Sequence, residues 1–108
     1  MQNTVLIVDD SKENVDGLRA ILDKEYKVMV ALSGEKALEI MKLNSPDIVL
    51  LDVFMPGMDG MEVLENMRND PALSNIPVVF ITGASDSYNE KRGLFLGAVD
   101  YISKPYDA

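Results

Sequence analysis

Ile48-Val49-Leu50-Leu51-Asp52-Val53-Phe54-Met55-Pro56-Gly57-Met58-Asp59-Gly60 is an apolar run stopped by one carboxylate and followed by turn residues. A short branched run after a proline reads as a buried strand, here Ile48 to Leu51, and Pro56-Gly57 with Asp59-Gly60 reads as a loop entering a helix. Asp52 therefore stands where a strand leaves the core. Open parallel sheets bind ligands outside the carboxyl ends of their strands, so this carboxylate is the first functional clue.

Upstream, Thr4-Val5-Leu6-Ile7-Val8 is too apolar for a half-solvated strand, which predicts burial on both faces of a parallel sheet. Asp9-Asp10-Ser11 ends it. Asp10 or Ser11 can cap a helix carrying Val15, Leu18 and Leu22 at helical spacing, and that helix stops near Asp23-Lys24-Glu25. Tyr26 to Leu32 is a second strand, with Val28 and Val30 alternating with Lys27 and Met29 as at a sheet edge. Ser33 caps the next helix, with Ala37, Leu38 and Met41 inward and Asn44-Ser45-Pro46 as its end.

Downstream, Asp59 and Glu62 have the spacing of a capping box for a helix with Val63, Leu64 and Met67 inward, closed by Asn69-Asp70-Pro71. Ile76-Pro77-Val78-Val79-Phe80-Ile81 is the fourth strand, with Pro77 at its start where a missing donor is tolerated. Thr82-Gly83-Ala84-Ser85 turns the chain. Ser85 to Gly97 reads as a weak, mobile helix, polar in its first half and broken by Gly93. Ala98 to Ser103 is the fifth strand.

Five strands alternating with four helices predict an α/β domain, a doubly wound five-stranded parallel sheet over residues 1–108. Only Lys104-Pro105-Tyr106-Asp107-Ala108 follows, so the expectation is that a helix covering the last strand is missing. A bare apolar face costs roughly 25 cal/mol per Å² of exposed surface. The expectation is a domain truncated before its last helix, or a homodimer in which a partner covers that face.

Composition narrows the chemistry. The 108 residues hold 10 Lys and Arg against 18 Asp and Glu, a formal charge of −8, which argues against direct contact with nucleic acid or an anionic membrane. With no cysteine and no histidine, disulfides, thiolate nucleophiles, imidazole bases and the usual zinc ligands are excluded. No basic segment precedes a long apolar stretch at the amino terminus, and no window resembles a membrane span, so a cytoplasmic protein is expected.

At the carboxyl ends of the predicted strands stand Asp9-Asp10, Asp52, Thr82 and Lys104. Singly, each has an ordinary reading. An acidic pair before a helix caps it, Asp52 caps a turn, Thr82 satisfies a backbone donor and Lys104 is solvated. All at one end of one sheet, they describe a site. Crowded carboxylates repel unless a cation binds among them, and Mg2+ (or Mn2+) takes one or two carboxylates, keeps waters and is completed by phosphate oxygens. Asp10 and Asp52 suit direct ligands, with Asp9 acting through water. An aspartate can attack phosphorus if the charges are screened, here by the metal and Lys104, while the Thr82 hydroxyl and backbone amides after Asp52 and Thr82 hold the other oxygens.

The sequence resembles the receiver domain of bacterial two-component response regulators, the CheY-like, flavodoxin-related fold with strand order 2-1-3-4-5. The resemblance runs from Val5-Leu6-Ile7-Val8-Asp9-Asp10 through Asp52 and Met55-Pro56-Gly57-Met58-Asp59-Gly60 to Gly97-Ala98-Val99-Asp100-Tyr101-Ile102-Ser103-Lys104-Pro105. It implies that Asp52 is the phosphoacceptor, served by a sensor histidine kinase or a histidine phosphotransfer protein. It implies Asp9 and Asp10 as the metal-binding pair and the Phe54 backbone carbonyl as a further ligand. Thr82 would be the switch hydroxyl, Lys104 the phosphoryl-binding lysine, and Tyr101 the switch aromatic. The resemblance makes the chain a switch rather than a multiple-turnover enzyme, acting on an output domain or target protein. The Ser85-to-Pro105 segment is similar to receivers joined to cyclic-dinucleotide enzymes.

Phe54, two residues past Asp52, is expected to exclude water and slow dephosphorylation, against the open path left by small Ala84. A haloacid dehalogenase-like phosphotransferase would want an acid where Phe54 stands. A flavodoxin-like FMN binder would need a phosphate loop where Asp9-Asp10-Ser11-Lys12-Glu13 lies. A phosphorylation-independent interaction module is the alternative that the residues leave open.

Overall fold

The computed structural model describes residues 3–82 and 100–103, with side chains over residues 3–81. Branched runs become strands β1 (Thr4–Val8), β2 (Lys27–Ala31), β3 (Ile48–Asp52), β4 (Val78–Thr82) and β5 (Asp100–Ser103). Segments with helical spacing become α1 (Lys12–Leu22), α2 (Gly34–Leu43) and α3 (Gly60–Arg68). The strands form one parallel sheet in the order β2-β1-β3-β4-β5, so β2 lies at an edge as its alternating pattern predicts. The expected helix over Ser85–Gly97, the start of the fifth strand at Ala98, and Lys104 with the question of a further helix lie outside the described residues.

Period-two alternation divides the core into two layers. Leu6 and Val8 of β1 point with Val49, Leu51, Val78 and Phe80 toward α2 and α3, where Ala37, Met41, Val63, Leu64 and Met67 are buried. Val5 and Ile7 point the other way with Leu50, Val79 and Ile81, toward Val15 and Leu18 of α1. The central strands are thus buried on both faces, which is why they read as unbroken apolar runs.

Helix starts follow the capping chemistry. Of the two candidates before α1, Ser11 is the cap, its Oγ accepting from the Asn14 amide at 3.3 Å. Ser33 Oγ accepts from the Lys36 amide at 3.2 Å. The capping box is complete, with Asp59 Oδ1 accepting from the Glu62 amide at 2.9 Å and Glu62 Oε1 from the Asp59 amide at 3.4 Å.

Strand boundaries shift for identifiable reasons. β3 runs one residue further than its apolar stretch because Asp52 still pairs with Ile81. β2 begins at Lys27 because the Tyr26 amide donates to Leu22 O at 3.0 Å and closes α1. β4 begins at Val78 because the Ile76 amide turns back to Leu73 O at 3.1 Å. Pro77, which lacks a donor, still accepts from the Val49 amide at 3.0 Å.

Candidate functional site

Strand register brings the acidic residues together. β1 and β3 are adjacent and parallel, with Val8 opposite Leu51, so the residues that follow, Asp9 and Asp52, emerge side by side. Asp9, Asp10 and Asp52 each offer a carboxylate oxygen, and these oxygens lie within 4.8 Å of one another. Asp9 is fully buried and Asp52 only 5% exposed, while Asp10 is exposed.

The two buried acids are each held locally. The Asp9 amide donates to Ala31 O of β2 at 3.1 Å, extending the sheet by one bond past β1. Asp9 Oδ1 accepts from the Ser11 amide at 2.9 Å, so the acid and the cap of α1 form one turn. Asp52 is held as the last residue of β3. The two buried carboxylates and an exposed third form a set of hard oxygen donors. Their charges repel in a partly dehydrated place, and a small divalent cation with oxygen preference fits that set.

The loop after Asp52 is closed tightly. The Gly60 amide donates to Val53 O at 2.9 Å, bringing the start of α3 against the end of β3. A Cβ at position 60 would run into the carbonyl oxygen of Asp52 and stand 2.9 Å from Val53 Cα, so this close approach requires glycine. The sequence offers Gly60 only as a turn residue after Asp59. Its packing role depends on two backbones meeting.

The Val53 amide is engaged with Ile81 O at 3.3 Å, so it serves the sheet. An oxygen held by the backbone beyond Asp52 must therefore meet an amide further along the loop. Val53 and Met55 are buried, whereas the Phe54 side chain is 61% exposed. That ring stands largely in solvent.

The backbone of Thr82 ends β4 opposite Ser103, and Tyr101 lies in β5 opposite Phe80. Thr82 thus shares the carboxyl edge of the sheet with Asp52. Lys104 lies outside the described residues. No helix among the described residues is long and apolar enough to cross a membrane.

The response regulator receiver domain model matches residues 5–108 of the chain. A probable cyclic di-GMP phosphodiesterase of Vibrio cholerae is 45% identical over 96% of the chain, and the response regulator PleD of Caulobacter vibrioides is 44% identical over 99%. The chain spans 24% of the length of each of these relatives. Among solved structures, the N-terminal domain of a response regulator receiver protein from Methanoculleus marisnigri is 41% identical, with a TM-score of 0.87 over 94% of this chain and 84% of that one.

Proposed function

Because the chain belongs to the response regulator receiver domain family, we propose that it is a phosphoacceptor switch in a two-component phosphorelay, with Asp52 receiving the phosphoryl group. The observation that carries this reading is the meeting of the Asp9, Asp10 and Asp52 carboxylates at the carboxyl edge of the sheet. In the reaction, an Asp52 carboxylate oxygen attacks the phosphorus of a phosphohistidine. The phosphorus–nitrogen bond breaks, its electron pair returns to the imidazole, and an acyl phosphate forms.

Asp10, Asp52 and the Phe54 carbonyl would hold Mg2+ or Mn2+ directly, with Asp9 acting through water. The bound ion supplies positive charge that screens carboxylate from phosphoryl group. Asp9, fixed by the Ser11 amide, keeps the acidic pair in place. Lys104 would pair with a phosphoryl oxygen and the Thr82 hydroxyl with another. Movement of Thr82 toward the phosphoryl group, followed by Tyr101, would bias the surface formed by residues 82–101.

The donor would be a sensor histidine kinase or histidine phosphotransfer protein in the cytoplasm. The readout would be an output domain, a target protein or a second copy of the chain. The cyclic di-GMP phosphodiesterase named among the relatives makes a cyclic-dinucleotide enzyme the first output to test. Intact mass after incubation with acetyl phosphate and Mg2+ tests the proposal. One phosphoryl group should be added to the native protein and none to Asp52→Asn. An unlabelled native protein would leave the phosphorylation-independent interaction module.

A further inference from the structure

Gly34, the first residue of α2, is buried where that helix begins, and it lies against the loop that follows Asp52. A Cβ at this position would stand 3.0 Å from both Met58 Cγ and the Met58 carbonyl oxygen, and 2.8 Å from Val63 Cγ2. Two of these neighbours yield poorly. Val63 is β-branched and fully buried in the α2–α3 core, and the Met58 oxygen belongs to the backbone. Met58 itself is half-buried and packs against that same core.

The loop from Val53 to Asp59 is therefore held at both ends and again at Met58, just before its end. The Gly60 amide ties its end to Val53 O at 2.9 Å, the Val53 amide ties its beginning to Ile81 O at 3.3 Å, and Met58 rests on Gly34 between them. Phe54 has an exposed side chain, so its peptide is held by its buried neighbours Val53 and Met55 and by the rest of the loop. The direction of its carbonyl then depends on the rest of the loop.

We infer that Gly34 is a positioning residue for the site, acting through Met58 to hold the loop after Asp52 in the conformation that presents the Phe54 carbonyl. The metal-binding part of this inference rests on the proposed function. The loop-anchoring part does not. A methyl group at position 34 pushes Met58 away from α2, because Val63 blocks relief on the other side. The loop then loosens without loss of any carboxylate. Support of a ligand by residues behind it commonly controls metal affinity by about tenfold or more.

Two measurements on Gly34→Ala test this. Hydrogen exchange on the metal-free protein should be at least about fivefold faster for the amides of residues 53–55 and 57–60, with α1 unchanged, as local opening rather than global unfolding requires. Mn2+ binding, followed by the electron paramagnetic resonance of the free ion, should weaken by about tenfold. Met58→Ala, which removes the side-chain part of that contact without crowding, should shift both in the same direction and replaces Gly34→Ala if that variant does not fold. Native loop exchange and Mn2+ affinity in either folded variant would overturn the assignment. A native protein that binds no Mn2+ would strike the functional reading instead, and the exchange comparison would still decide whether Gly34 anchors the loop.

Discussion

Asp9 and Asp52 leave adjacent parallel strands at the same end, both buried, with carboxylate oxygens within 4.8 Å of each other and of Asp10. A cation that binds among these carboxylates only in the folded state favours folding. Mg2+ should therefore stabilise the protein. At ten times its dissociation constant the ion adds about 1.4 kcal/mol, which raises the thermal midpoint by roughly 5–10 °C for a domain of this size. Melting followed by circular dichroism should show that rise and its reversal by a chelator. An unchanged midpoint at millimolar Mg2+ contradicts the metal site.

Asp52→Asn separates the chemical role of this residue from its electrostatic cost. The amide keeps the shape but removes one of three crowded charges. In metal-free buffer the sign of the change reads the balance between the repulsion removed, about 1 kcal/mol for two unit charges roughly 4 Å apart in water, and the contacts that the carboxylate makes. Mg2+ should stabilise it less. Urea unfolding with and without the ion measures both. A variant less stable than the native protein without metal would mean that hydrogen bonds to Asp52 outweigh the repulsion.

Much of this arrangement is legible in the sequence because it follows from local chemistry. The unbroken apolar runs at Val5–Val8 and Val49–Leu51 announce strands buried on both faces, and the spacing of Asp59 and Glu62 announces the capping box. Once the strands are placed, the carboxyl edge collects Asp9, Asp10 and Asp52 by topology alone. What the sequence conceals depends on contacts between distant segments. Gly34 reads as an ordinary residue after a serine cap, and nothing local says that Met58 and Val63 will crowd it. Arg68 looks like a basic residue in the last turn of a helix, yet its guanidinium donates to the Ser74 and Ile76 carbonyls at 3.0 and 3.2 Å. Burial there lowers its pKa from the ordinary arginine value. The ends of β2 and β4 shift for the same reason, since turn hydrogen bonds at Tyr26 and Ile76 compete with strand pairing.

Asp59→Ala should cost about 1 kcal/mol of stability, the usual value of an N-cap side chain. The loss is the bond from the Glu62 amide to Asp59 Oδ1 at 2.9 Å, whereas the reciprocal bond to Glu62 Oε1 survives because its donor is the backbone amide of residue 59. Asp59→Asn, which keeps an accepting oxygen, should recover most of it. Chemical denaturation of the three proteins decides this. Equal losses in both variants would place the effect in charge rather than in the cap.

Gly60→Ala and Gly17→Ala should act in opposite directions although both replace a helical glycine. Around Gly17, on the exposed side of α1, no atom beyond the helix's own backbone and its chain neighbours lies within 4 Å of an added Cβ, so alanine gains helix propensity of roughly 0.5–1 kcal/mol. At Gly60 the added carbon meets the Asp52 carbonyl oxygen and the Val53 Cα, backbone atoms that cannot rotate aside. Overpacking of this kind costs roughly 1–3 kcal/mol. It also strains the bond from the Gly60 amide to Val53 O and displaces the end of β3 that carries Asp52. Urea midpoints should therefore rise for Gly17→Ala and fall for Gly60→Ala. Labelling by acetyl phosphate should keep its native rate in the first variant and slow in the second even where that variant is fully folded. A folded Gly60→Ala that is labelled at the native rate would show that the end of β3 tolerates displacement, and that the close approach of α3 serves stability alone.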